Sequence, residues 1–297
     1  MWTTDDSVTG PLVSALCRAS QAATILAVAH LMGVGYIMYM DLSGRWTPYA
    51  LCKSRPTKNM TDYLPGLYSL FFDLIVLFIP CLTVCLWYQD DRISYNITEM
   101  TADDLVRAAT KFVAGYVLGK LWAFVIHYIL HHPKLYRYHK RHHQKPADLV
   151  ASAAWDDSAV EYAIMELPSF CITLFAFPTY WWVHLAHFAL HGLDGACGHS
   201  GFKAPGIMGK LFWSNIMLLF KNVVLIDIYF GKQYFSRGTH ALIDELIHFV
   251  IAGYIFDGEY HYYHHAHLTI NYAELEILDK MFGTHHSQDR RFRQKRV

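Results

Sequence analysis

Residues 22–40, AATILAVAHLMGVGYIMYM, carry no formal charge over about the length a helix needs to cross the hydrocarbon of a bilayer. Backbone in hydrocarbon has no water to bond to, so a chain with several such runs is confined to a helical bundle or a closed barrel. More runs follow. Residues 66–88 form the second, with Pro80 expected to kink it and Asp73 as its one formal charge. Residues 111–130 form the third. Residues 160–191 are too long for one simple crossing and are interrupted by Pro168 and Pro178, so they read as a helical hairpin that enters and returns on the same side. The expected fold is all-α: an integral membrane helical protein with about four or more transmembrane helices. An N-terminal transmembrane region, 1–110, is expected to precede a second region, 111–297, that carries the chemistry.

Composition agrees, with 54% hydrophobic residues against 17% charged. The 25 basic and 25 acidic groups balance, which leaves no basic footprint for a nucleic acid. Cys17, Cys52, Cys81, Cys85, Cys171 and Cys197 lack the paired spacing of a disulfide framework or a zinc ribbon and are expected to be reduced packing residues. The opening MWTTDDSV is acidic and without a positive flank, so no cleavable signal peptide is expected there. Loop charge orients the bundle. The 41–65 loop holds Arg45, Lys53, Arg55 and Lys58, whereas Asp90, Asp91, Glu99, Asp103 and Asp104 dominate 89–110, so the first is expected in the cytosol. Alternation then carries the end of the third span to the cytosolic side, along with the basic tail RRFRQKRV. The sequon at Asn96 falls on the lumenal side and the one at Asn59 does not.

Histidine spacing carries the chemistry. His127 and His131 are four apart at the end of the third run, so both rings project from one helix face and can reach a common ion. His139, His142 and His143 follow as HxxHH, and His261, His264 and His265 repeat the spacing. His199 lies between them. These nine imidazoles exceed what one tetrahedral ion can use, so they imply two ions or one dinuclear site. Imidazole suits iron, zinc, copper and nickel; a thiolate-free set also resists oxidation near activated oxygen, which favours redox iron. Asp194 and Glu259 are further ligand candidates without a repeated spacing. His30, His184, His187 and His248 read as core residues, His132 and His191 as candidates to orient the ligands, and His285 and His286 as solvated.

As an ordered set, HxxxH, HxxHH, HSGF with Pro205, and the closing HYYHHAHLTINYAELEILDKMFGT resemble the fatty acid hydroxylase and sterol desaturase superfamily of membrane di-iron oxygenases over roughly residues 120–285. In the closing run Asn271, Tyr272, Asp279, Phe282, Gly283 and Thr284 look like the family's ending, and the HSGF and NYA elements look most like the C-4 methylsterol oxidases and cholesterol side-chain hydroxylases. The resemblance implies a monooxygenase of the endoplasmic reticulum membrane with its histidine boxes facing the cytosol. Two irons would use O2 and electrons from NAD(P)H, passed through a separate reductase and cytochrome b5, to oxidise a sterol, a sterol precursor or a related lipid. Fatty acyl hydroxylation, sterol desaturation and squalene epoxidation remain open beside sterol hydroxylation. Trp122, Phe124, Tyr180, Trp181 and Trp182 are candidates to line a lipid channel or to anchor at the membrane interface.

The sequence departs from the family's pattern twice. His131 and His139 are one residue closer than the family's spacing, which on a continuous helix rotates one box by about 100 degrees and brings His132 into competition with His131. The stretch 200–260 is longer than usual and holds two extra apolar segments, 211–230, broken by Lys221, and 242–256, broken by Asp244 and Glu245; they read as a hairpin or as interfacial helices at a substrate entrance. Two other function classes remain. A histidine-rich metal transporter would place its ligands inside crossing helices, whereas these boxes fall at and beyond the span ends. An inactive lipid-binding scaffold has less to support it, because no box is missing.

Overall fold

The computed structural model of the chain describes residues 6–95, 101–143, 149–203, 258–273 and 275–288. The segments 211–230 and 242–256, the sequon at Asn96, His248, Pro205 and the basic tail lie outside the described residues. Within them the chain is helical, with no strand and two isolated bridges. The elements are α1 (Asp6–Leu42), α2 (Leu64–Asp73), α3 (Ile79–Gln89), α4 (Ala102–Leu130), α5 (Tyr136–His139), α6 (Ala159–Glu161), α7 (Leu167–Ala176), α8 (Trp181–Gly198), α9 (Gly258–His267) and α10 (Glu276–Phe282).

Among the described residues, four helical stretches are long and apolar enough to cross a membrane: Gly10–Leu42, Met60–Gln89, Asp103–Leu130 and Ala159–Ala176. The chain is thus built as a multi-pass membrane protein. The second and fourth contain π turns, Leu74–Phe78 and Tyr162–Glu166, and each π turn begins directly after a buried carboxyl, Asp73 or Glu161. The first π turn sits just upstream of Pro80, where a wider turn relieves the clash between a proline ring and the carbonyl four residues back. Pro168 opens α7, and the long apolar run breaks only at 177–180, around Pro178. The two arms of the expected hairpin are therefore α6–α7 and α8, which pack chiefly on α4 and on α1 rather than on each other.

Lipid tails are as apolar as leucine, so small side chains that let backbones approach take over from hydrophobic burial as the source of helix contact. The longest contact here follows that rule. Ala15, Ala19, Ala22, Ala23 and Ala29 line the buried face of α1, and a Cβ on Gly192 of α8 would meet the Leu26 carbonyl at 2.7 Å. Along the same seam Trp181 Nε1 donates to the Gln21 side chain at 2.8 Å, and His30 Nδ1 lies 2.9 Å from Gly192 O. His30 is thus held inside the α1–α8 seam as a core residue.

The two ends of the bundle are tied differently. At one end the Ser94 amide donates to Thr179 O and the Trp181 amide to Ser94 O, joining the 90–95 and 177–181 connections. At the other, Arg55 reaches Asp41 at 2.8 Å and Leu149 O at 2.5 Å, while the Leu51 and Lys203 amides donate to Gly201 O and Tyr49 O. The basic 41–65 loop, the C-terminus of α4, the 131–158 connection and the C-terminus of α8 all meet there. That shared end gathers the histidines.

Candidate metal centre

All nine candidate histidines, the eight set by spacing and the lone His199, converge at this end in two groups. His127, His131, His139, His143 and His264 form one; His142, His199, His261 and His265 form the other. In each group one nitrogen per ring lies within 4.8 Å of every other. The repeated HxxHH motif divides in a crossed manner. In the first box the i and i+4 rings, His139 and His143, join the group of five and His142 the group of four. In the second box His261 and His265 join the group of four and His264 the group of five. Rings three and four residues from a reference position flank opposite sides of its helix face, so one box can serve two adjacent centres.

Local structure explains how each ring arrives. His127 is in the last turn of α4 and His131 is its C-cap; Pro133 then prevents the helix from continuing. The chain turns through 132–135 before α5, so the rotation expected of one unbroken helix does not arise. His131 faces the group of five, whereas His132 is exposed beside the Lys134 amide at 3.3 Å. His139 ends α5, His142 and His143 occupy the next turn, His199 caps α8, and the second box rides on α9.

The nitrogen geometry fits metal ligands. Nε2 atoms approach at 3.2 Å for His131–His264, 2.8 Å for His139–His143, 3.0 Å for His142–His199, and 2.9 Å for both His199–His261 and His261–His265. A first-row ion with bonds of about 2.0–2.1 Å to imidazole puts neighbouring ligand atoms about 3 Å apart. Hydrogen bonding alone accounts for these contacts poorly. His127, His264 and His199 direct Nδ1 at the carbonyls of Tyr272, Ile270 and Gly195, at 2.7, 2.7 and 3.1 Å, and His139 directs Nδ1 at Glu161 Oε1, at 2.6 Å. A carbonyl accepts a hydrogen bond from Nδ1–H, which leaves a bare lone pair on Nε2. Converging lone pairs repel unless a cation sits among them, and the buried His127 Nε2 has no hydrogen-bond partner among the described residues. The residues present therefore fit bound metal ions.

Electrostatics favours the ligand form. Burial, aided by neighbouring His127, pushes the His131 pKa down to about 3. Burial also holds His199 at about 4, although its bond to Gly195 O opposes the shift. His139, His142, His143, His261, His264 and His265 are driven well down, by burial first and then by one another. Neutral imidazole is the form that binds metal.

The carbonyls that fix His127 and His264 belong to the 268–273 turn, where Leu268 and Asn271 adopt positive φ, 55° each. Buried Asp279 locks this turn: its carboxylate accepts from the Tyr272 amide at 2.9 Å, the Ala273 amide at 2.7 Å, the Tyr260 hydroxyl at 2.6 Å and the Thr284 hydroxyl. The Asn271 side chain donates to Tyr260 O and accepts from the His286 amide, and Gly283 at φ 76° ends α10 so that Thr284 can turn back. The closing sequence motif is thus a scaffold for two imidazoles. Spacing alone did not expose Glu161, although a carboxyl in an apolar run is the signal that could have found it.

Other candidates fall outside both groups. Asp194 pairs with Lys120 at 2.6 Å and accepts from Tyr116, and Glu259 pairs with Lys203 at 2.7 Å. His191 packs against Phe170 and His187. His285, expected in solvent, is buried 2.9 Å from Glu276 because the returning chain folds over α10. Cys81, Cys85 and Cys171 gather between α3 and α7 as free thiols. Beside the histidines a cavity of about 60 Å³ is lined by His127, His142, His199, Phe124, Met165 and Tyr272, among others. Of the aromatics expected in a channel, Phe124 is in its wall, whereas Trp181 lies at the opposite end of the bundle with its bond to Gln21.

Comparison with known proteins adds an independent line. Residues 112–220 match the family described as fatty acid hydroxylase. A curated relative, fatty acid hydroxylase ahd1 of Mycosarcoma maydis, is 22% identical over 185 residues, covering 61% of this chain and 48% of the relative. The matched part therefore spans about half the length of that relative. No solved structure matches.

Proposed function

We propose, on the premise that the chain belongs to the fatty acid hydroxylase and sterol desaturase superfamily, that it is a membrane-bound non-haem di-iron oxygenase acting on a sterol or related lipid. The observation that carries this reading is the set of nine converging imidazoles, seven buried and His131 and His261 half-buried, split into two groups beside a cavity at one end of a membrane bundle.

Iron in both groups would supply the capacity to activate O2, and the overall balance is that a lipid C–H, O2, two electrons and two protons give an alcohol and water. The chain's own part is to hold its ligands neutral, to fix their rotation through Tyr272 O, Ile270 O, Gly195 O and Glu161, and to keep bulk water from the cavity with Phe124, Met165 and Tyr272. The histidine-bearing end would face the cytosol of the endoplasmic reticulum membrane, where a reductase and cytochrome b5 could deliver electrons; the basic 41–65 loop at that end supports this.

Fatty acyl hydroxylation is the second reading, favoured by the name of the relative. One experiment separates the two. Iron-loaded protein with a reductase, cytochrome b5 and oxygen-18 gas is offered sterols and fatty acyl lipids in separate reactions. A labelled sterol alcohol supports the first reading and a labelled hydroxyacyl product the second. No labelled product from either pool, with iron bound, contradicts both.

A further inference from the structure

The cavity beside the histidines has walls of unequal strength. Between α4 and α7 the backbones nearly touch: a Cβ on Gly119 would lie 3.0 Å from Ser169 O, and one on Gly115 would lie 3.2 Å from the Thr173 side chain. Opening that seam means separating two packed helices. Toward the outer face of α4 the barrier is made of side chains. Phe124 and Tyr272 line the cavity, 4% and 8% exposed. On the outer side Phe282 of α10 lies 5.1 Å from Phe124, and Tyr128 of α4 lies 5.1 Å from Tyr272, whose inner side packs on the His127, His131 and His264 rings. Those outer rings are 59% and 54% exposed.

We propose that a lipid hydrocarbon chain passes from the bilayer to the cavity between α4 and α10, through the ring pairs Phe124–Phe282 and Tyr128–Tyr272. The occupant follows from continuity with the lipid-facing surface. Val125, Tyr128 and Ile129 are exposed on a helix long and apolar enough to cross a membrane, and Ile277, Met281 and Phe282 extend that apolar surface onto α10. The motion required is small. The Tyr272 ring is held by its hydroxyl bond to Leu268 O, at 3.2 Å, while its amide and carbonyl stay engaged with Asp279 and His127. The ring can swing without releasing the imidazole behind it. Side-chain rotation is fast and local, whereas separating packed helices is a collective motion.

This assignment rests on the lipid-oxygenase reading for its purpose but not for its test. The full chain is placed in phosphatidylcholine liposomes containing alkyne-tagged oleic acid, with p-benzoylphenylalanine in place of Phe282 or, separately, Phe124. Irradiation is expected to shift the mass of both proteins by one tagged oleate, whereas the same probe at buried Leu86 gives no shift. Should the Phe124 protein fail to fold, Ala123, which also lines the cavity, provides the inner position. Capture at 282 without capture at either inner position overturns the passage. So does a crosslink from 282 to the chain's own residues 204–257, or no adduct there at all. None of these outcomes depends on metal, so failure of the oxygenase reading would show separately, as absent iron or absent labelled product.

Discussion

The two histidine groups are built from the same motif but are not supported alike. In the group of five, His127, His139 and His264 each have Nδ1 fixed, by Tyr272 O, Glu161 and Ile270 O. In the group of four His199 has such a bond, to Gly195 O; among the described residues the buried Nδ1 of His142 and of His265 has no hydrogen-bond partner, and in the group of five the same is true of His143 alone. Ligands whose rotation is set beforehand lose less freedom when an ion binds, so preorganisation rather than ligand number should separate the two affinities. The first centre is expected to hold its ion more tightly.

The largest effects should come from removing a ligand from one group at a time. His264→Ala is expected to abolish binding at the group of five and His142→Ala at the group of four, with oxidation of lipid lost in both; His30→Ala should keep both ions, since its ring sits in the α1–α8 seam. Iron per chain in the three purified proteins checks this, and equal metal loss in all three would remove the distinction. Next is Asp279→Ala, which strips the acceptor from two amides and two hydroxyls and should cost about 3 kcal/mol of stability. Its metal loss should fall on the group of five, readable as one ion lost and one kept, with the change in melting temperature giving the stability cost.

A smaller effect is expected from Glu161→Gln, which keeps an acceptor for His139 but removes the charge; affinity at the group of five should fall roughly 10–100-fold, measured by competition with a chelator. Acid provides the mildest comparison. The pKa of His199 and of His131 is lowered by folding from 6.5 to about 4 and about 3, so the stability they contribute is present above pH 6.5 and lost as pH falls toward those values. Melting temperature of the metal-free protein should decline across that window, and with metal bound the group of four should release its ion first. A flat melting profile from pH 7 to 4 would argue that the rings are not buried as neutral imidazoles.

The part of the site that could be read from sequence is the part that spacing dictates. Four-residue intervals place rings on one helix face in any helical context, so His127, His131 and both HxxHH boxes were visible as a set. The crossed division was not, because which ring of a box faces which centre depends on how α5 and α9 meet across space. The choice between His131 and His132 depends on the break at Pro133, which ends α4 and leaves His131 in the group of five with His132 exposed. Asp279 stood in the closing motif, but its role depends on a turn with positive φ at Leu268 and Asn271, which local propensity does not encode. At the level of the fold, four apolar runs marked the helices, while the close approach of α1 and α8 rested on Gly33 and Gly192, small residues that hydropathy does not register.

The most direct test of the account is metal analysis of the detergent-purified protein after anaerobic loading with iron. The account predicts close to two irons per chain, falling to one when His264 is replaced by alanine. No iron, or zinc that does not exchange for it, would contradict the claim that these nine imidazoles form a two-iron centre.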